Sequence, residues 1–383
     1  MLVLLCLASC ADNRGENEDS STDVSSDTSV ETNEDTTDDE DDEFIPTSDK
    51  KSLRINYNTA GIHVFGKRVF EDRNYLACDY SGSGIEFVIE AEGGDLNVVT
   101  RTSAECRFLV TLDGEVQTYD GKAYATVNGD GNIVVSKLTA GKHTVKIVKL
   151  TSYETSRAVF RTLEFYGTFL TKEVSADNEG YIEFLGGSAA AGLCADGSED
   201  ATLAYAYDLA LRAQTEYTIM ALADEGLISD ISKAYLCTSI ERDASTEYDF
   251  ALTPSLTVIH VGSNGQDAET FAAAYKKLCE AVKENNGKLS KVLCVYSNTD
   301  TVALGAVTTV CAELGGEEAG MFSIGVSVKD SGALSAAEQK ALADAIAPAM
   351  EKALEAEVTA GAVDTETGDP DIKIDNNSPE WYA

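Results

Sequence analysis

The sequence predicts an all-β sandwich of jelly-roll type followed by an α/β domain built on a parallel sheet. Three observations carry that reading. Between Leu53 and about Leu170, short alternating runs are cut by glycine turns. From about Glu179, apolar strands alternate with amphipathic helices, the pattern of βαβ units. Within that second part, Tyr181-Ile182-Glu183-Phe184-Leu185 runs into Gly186-Gly187-Ser188, then three alanines and Gly192. A buried strand there delivers a hydroxyl into a tight turn before a helix.

Composition frames these parts. The chain has 383 residues, 43% of them hydrophobic, and a formal net charge of -37. That length accommodates two domains with tails. The acidity argues against nucleic acid, whose phosphates would be repelled, and against attraction to anionic lipid headgroups. The first ten residues, MLVLLCLASC, form an apolar run ending in Leu7-Ala8-Ser9-Cys10. This has the form of a bacterial lipobox, with Cys10 as the lipidated residue. The expected location is therefore extracytoplasmic, with the lipid on Cys10 as the only tie to a cell membrane. The positive n-region that precedes such a leader is missing, so the expectation is a true start upstream. Residues 11–50 follow as an acidic tether, with too little apolar surface to offset chain entropy and with like charges that repel. The expected layout is a leader at 1–10, the tether at 11–50, a sandwich at 51–172, the α/β domain at 178–358 and a polar tail at 359–383.

In the sandwich, Ile85, Phe87, Ile89 and Ala91 alternate with Glu86, Glu90 and Glu92, giving one buried and one wet face. Phe108, Val110 and Leu112 repeat the pattern before Asp113-Gly114. Asn128-Gly129-Asp130-Gly131 separates two more runs, and Val145, Ile147 and Lys149 alternate after Gly141-Lys142. His63 and His143 lie here without a partner histidine or a carboxylate at ligand spacing, and both are assigned to structure. The seven cysteines beyond the leader show no CxxC pair and no metal-ligand spacing. They read as small buried hydrophobes, with Cys78 and Cys106 the one conceivable pair. No metal or other cofactor is expected.

In the second part, strand 181–187 precedes a helix with Leu203, Tyr207, Ala210 and Leu211 on one face. Strand 256–261 precedes a helix with Phe271, Tyr275, Leu278 and Val282. Strands at 291–297 and, more weakly, 320–328 complete the sheet. A last helix carries Leu342, Ile346, Ala349, Met350 and Leu354. Sites in such sheets lie at the carboxyl ends of the strands, where Ser188 and, after Leu256–Val261, Gly262-Ser263-Asn264 both fall. Together they outline a serine-hydrolase site.

Here the chain resembles carbohydrate esterase family 2, which joins a jelly-roll domain to a flavodoxin-like α/β/α SGNH (GDSL-like) hydrolase domain. The resemblance spans roughly residues 53–357. It rests in the first part on Gly66-Lys67-Arg68, Ser81–Phe87 and Leu138–Lys149, and in the second on Ile182–Ser188, Gly226 and Gly262-Ser263-Asn264. It implies Ser188 as nucleophile, with the Ser188 amide, the Gly226 amide and the Asn264 side chain as the oxyanion hole. It also exposes departures. Gly187 stands where the family has aspartate, and Gly265 follows Asn264 where the family has aspartate. In Asp330–Glu338, Ala333 occupies the position of the catalytic histidine and Leu334 that of the following proline. The orienting aspartate corresponds to Ser331, or to Asp330 with a one-residue shift.

A serine hydroxyl is a poor nucleophile until a base takes its proton. His260 precedes Gly262 inside the strand. At about 3.3 Å per residue it lies more than about 10 Å below the level of Asn264, packed or hydrogen-bonded there. Asp330 and Glu338 are the carboxylates nearest in sequence, but a solvated carboxylate is a weak base for a hydroxyl. The expectation is a lipid-anchored surface protein on an acetyl-polysaccharide esterase scaffold that binds glycan, or another surface partner, without turnover. The alternative is a working SGNH-type acetyl esterase acting on plant or cell-wall polysaccharide through Ser188. Tyr235, Tyr248 and Trp381 are the aromatic candidates for a sugar cleft.

Overall fold

Alternating strands in the first part and βαβ units in the second build two sheets in the computed structural model. It describes residues 46–66, 69–171, 181–223, 228–241, 247–328 and 332–359. The leader, most of the tether, the C-terminal tail, Gly226, Asp330, Ser331 and Trp381 lie outside the described residues.

The first sheet has 11 antiparallel strands: β1 (Lys51–Arg54), β2 (Ile62–Phe65), β3 (Val69–Asp72), β4 (Tyr75–Cys78), β5 (Gly84–Thr102), β6 (Cys106–Leu112), β7 (Glu115–Val116), β8 (Ala125–Val127), β9 (Asp130–Leu138), β10 (Gly141–Lys149) and β11 (Ala158–Phe169). β5 is 19 residues long and turns a corner at Gly93-Gly94, whose φ angles of 127° and 79° suit glycine alone. Its first half pairs with β2 and β10. Its second half pairs with β9, and β11 runs along both halves. Phe87, Ile89, Phe108, Val110, Ile147 and Phe160 point inward as the period of two requires, and all are fully buried. Before β1, Thr47 and Ser48 already donate to the Glu92 carboxylate.

The second sheet has five parallel strands: β12 (Tyr181–Gly186), β13 (Glu216–Ala221), β14 (Leu256–His260), β15 (Val292–Ser297) and β16 (Met321–Val326). Their order is β13-β12-β14-β15-β16. The helices are α1 (Ser188–Ala191), α2 (Tyr205–Ala213), α3 (Ile228–Leu236), α4 (Ala268–Asn286), α5 (Thr301–Glu313) and α6 (Ala336–Glu355). α2 and α6 share the core on one face of the sheet, and α3, α4 and α5 that on the other, giving three layers. This is the jelly-roll-like plus flavodoxin-like architecture expected from the sequence.

Two details differ from the sequence reading. Leu203 and Leu211 are 43% and 54% exposed. Leu203 lies in a 3₁₀ turn before α2, and the helix buries the expected Tyr207 and Ala210 together with Tyr205, Ala206 and Leu209. Strand β13 and helices α1, α3 and α5 carried too little periodicity to be assigned.

The halves are joined by buried polar bonds. Glu199, in the loop between α1 and α2, accepts from Ser152 N (2.9 Å), Ser152 Oγ (2.6 Å) and Thr155 Oγ1 (2.7 Å) in the sandwich. Tyr217 Oη donates to the Gly82 carbonyl at 2.9 Å, and Phe65 and Val148 of the sandwich belong to the α/β core.

Candidate functional site

All six residues of β12 are buried, and the strand is hydrogen-bonded in parallel to β13 on one side and β14 on the other. The crossover leaving β12 therefore runs to β13 on one side, and the crossover leaving β14 runs to β15 on the other. The crevice between the carboxyl ends of β12 and β14 is the topological switch point, where ligands bind in open α/β sheets. Ser188 follows β12 and Asn264 follows β14, so the fold places both at this crevice.

Gly186 ends β12 between Ala221 and His260. A Cβ there would stand 2.7 Å from the Ala190 Cβ and 3.1 Å from the His260 carbonyl, so only glycine lets α1 fold back this tightly. The amides of Ala190 and Ala191 donate to the Gly187 carbonyl, closing the turn with Ser188 as first helical residue.

Ser188 is 1% exposed. Its Oγ accepts a hydrogen bond of 3.0 Å from the Gly332 amide, its one side-chain partner among the described residues. Gly332 directly precedes Ala333, where the resemblance calls for the base. That loop is stitched onto the serine turn: Leu334 N donates to the Leu193 carbonyl, and Ala195 N donates to that of Leu334. Leu334 is fully buried. Ser335 and Glu338 form a capping box at the start of α6, which holds the Glu338 carboxylate on Ser335 N (2.8 Å) and Oγ (2.7 Å).

Sequence reasoning missed two residues that fix this arrangement. Gln339 is 2% exposed; its Oε1 accepts from Tyr205 N (2.9 Å) and its Nε2 donates to the Ala189 carbonyl (3.0 Å). It ties α6 to α1 and α2. Its signal was a polar residue on the buried stripe 339, 342, 343, 346 and 350. Asp300 caps α5 through Val302 N and Ala303 N, and its other oxygen accepts from Ser263 N (2.8 Å) and Oγ (2.7 Å). Burial raises its pKa, but the bonds from Ala303, Ser263 and Val302 outweigh that and hold it below the ordinary aspartate value. Asp300 thereby fixes the loop whose next residue, Asn264, is half-buried at a left-handed φ of 48°. An Asp before a helical run is the signal that marks such a cap.

The three histidines of the chain are all placed. His63 Nε2 lies 2.7 Å from Glu216, at the amino end of β13. His143 Nδ1 lies 2.7 Å from Asp113, and its Nε2 contacts the Thr139 carbonyl at 3.0 Å. Both are structural, as expected, but the fold gives each a carboxylate partner that linear spacing did not reveal. His260 is 1% exposed, and its ring meets Tyr205 of α2 edge-on at 5.4 Å. Neither of its nitrogens has a hydrogen-bond partner, and burial pulls its pKa down to about 4. No histidine nitrogen therefore bonds Ser188.

The aromatic candidates fare differently. Tyr235 is fully buried in α3, a core residue rather than a cleft wall. Tyr248 packs edge-on against Phe250 at 5.0 Å. The seven cysteines beyond the leader are free thiols, six of them buried, so Cys78 and Cys106 do not pair.

No family model matches the chain, and no curated protein matches it. Solved structures do. A family 2 carbohydrate esterase from Cellvibrio japonicus has a TM-score of 0.68 at 15% identity, covering 80% of this chain and 99% of that one. A family 2 carbohydrate esterase from Clostridium thermocellum, in complex with cellohexaose, has a TM-score of 0.66 at 22% identity, covering 77% and 99%. The acetyl xylan esterase Est2A from Butyrivibrio proteoclasticus has a TM-score of 0.64 at 14% identity, covering 79% and 99%. The chain thus has the two-part scaffold of family 2 carbohydrate esterases from end to end of those structures.

Proposed function

We propose that this protein binds polysaccharide at the crevice between Ser188 and Asn264, and that it does so without hydrolysing esters. One observation carries the reading: among the described residues the group touching Ser188 Oγ is a donor, the Gly332 amide, and it comes from the segment where the resemblance calls for a base. A donor cannot take the hydroxyl proton, and the histidine nitrogens are engaged or buried elsewhere. Losing one member of a serine triad costs about 10⁴- to 10⁶-fold in turnover. The cellohexaose held by the Clostridium relative points to polysaccharide as the ligand class. The second reading, an acetyl esterase with Ser188 as nucleophile and Asn264 in its oxyanion hole, rests on both residues flanking the switch point.

Release of nitrophenol from para-nitrophenyl acetate by the purified full chain decides between them. Wild type and Ser188→Ala are expected to give the same background rate. A drop of about 100-fold or more on removing the hydroxyl would establish turnover and overturn the non-hydrolytic reading.

We further propose that Cys10 carries the lipid that holds the protein at an extracytoplasmic membrane face. Labelled palmitate supplied to expressing cells is expected to enter the wild-type chain and not Cys10→Ala. Equal labelling of both would refute the anchor.

A further inference from the structure

Strands β8 and β9 are joined through Asn128-Gly129 but hydrogen-bond to different partners, β6 and β5 respectively. They diverge, and the excursion from Gln117 to Tyr124 walls the opening. The result is a cavity of about 300 Å³ on the sandwich, within the size range of small-ligand sites. It is built from different strands and a different sheet than the Ser188 crevice.

Its floor follows from strand alternation. Ala125, Val127, Ile133 and Val135 turn into the core, so Thr126, Asn132 and Val134 face out into the groove. Tyr124 supplies an aromatic wall. The Arg107 guanidinium lies 5.4 Å from its ring centroid and the Lys122 ammonium 5.6 Å. Arg107 is itself fixed by a 2.6 Å bond to the Glu199 carbonyl, so the ring rests on an anchored neighbour. Glu105, Asp120, Asn132 and Thr126 also line the groove, and none of these side chains has a hydrogen-bond or ion-pair partner among the described residues.

We infer that this groove is a second binding site, and that its ligand is a neutral saccharide. Charge decides against ions. Among the charged side chains lining it Glu105 and Asp120 outnumber Lys122, and the Arg107 guanidinium beside Tyr124 is already bonded to the Glu199 carbonyl, so an anion gains nothing here; the described residues also hold no cluster of three metal-ligating side chains for a metal cation. A purely apolar ligand would leave carboxylates and an amide desolvated and unpaired. A neutral sugar ring answers both demands: its C–H face lies on the phenol ring, and its hydroxyls both donate to carboxylates and accept from amide and ammonium groups.

Isothermal titration of the full chain with cellohexaose and with xylohexaose tests the site. Tyr124→Ala and Asn132→Ala are each expected to weaken binding about tenfold or more, and Tyr124→Phe to retain it. Asn132→Ala sits on an exposed strand face and decides the matter if Tyr124→Ala does not fold. Wild-type affinity in both alanine variants, or no binding of either probe by the wild type, would overturn the inference. Loss of all binding in Asn264→Ala alone would also overturn it, while leaving the Ser188 crevice as the binding site.

Discussion

Replacing Lys149 by alanine is expected to cost about 3–5 kcal/mol, the cost of breaking a buried charge arrangement by removing one member. Lys149 ends β10 and is 0% exposed. Its Nζ donates to the carbonyls of Thr151 (2.6 Å) and Ser152 (3.0 Å). Burial lowers its pKa, and the charges of Asp79 and Glu199 work against that drop. Without the ammonium, two carbonyls and two carboxylates lose their buried cation at the seam between the sheets, where Glu199 holds Ser152 and Thr155. The unfolding temperature should fall on the order of 10 °C. Lys149→Met, of similar length, should lose nearly as much, because packing is restored but the carbonyls remain unsatisfied. Thermal unfolding by circular dichroism reads both. A loss below about 1 kcal/mol in each variant would show that the seam does not depend on this cation.

Acid should weaken the fold through His260. In the unfolded chain its imidazole takes a proton near pH 6.5; in the fold, burial delays this to about pH 4. Between those values the unfolded state binds more protons, so stability rises with pH. The neutral-imidazole contribution is whole above pH 6.5, falls as pH drops, and is gone below pH 4. A shift of this size corresponds to about 3 kcal/mol. His143 acts with the opposite sign. Burial lowers its pKa, but hydrogen bonds to Asp113 and Thr139 outweigh that and raise it. Its stabilisation is present below pH 6.5 and lost as pH rises through the folded value. The clean measure is therefore the difference between wild type and His260→Leu in urea unfolding at pH 7 and pH 4.5. The wild type is expected to lose more stability than the variant over that interval. Equal losses would mean that the folded imidazole charges freely.

How far the sequence reading reached depended on how local each signal was. Alternation at Ile85–Ala91 and Phe108–Leu112 located strands because burial of one face acts residue by residue. Tyr181–Ser188 located the turn because two glycines after an apolar run permit a close approach that other residues forbid. Helices α3 and α5 went unassigned: α5 is apolar nearly all round, and short helices give few repeats. Tyr235 looked like a cleft residue because a tyrosine carries no mark of whether a neighbouring strand will cover it. Gln339 and Asp300 were overlooked because their partners, Tyr205, Ala189 and Ser263, lie tens of residues away in the chain.

By itself the sequence determined the two-part architecture and the serine at the end of the first parallel strand, because each follows from residue type and local period. Only the tertiary structure decided what touches that serine. The Gly332 amide reaches Ser188 across 144 positions of chain because Leu334 is drawn into the core beneath it and Gln339 pins the following helix. Contacts of that range are set by packing of whole layers, which no stretch of sequence encodes alone.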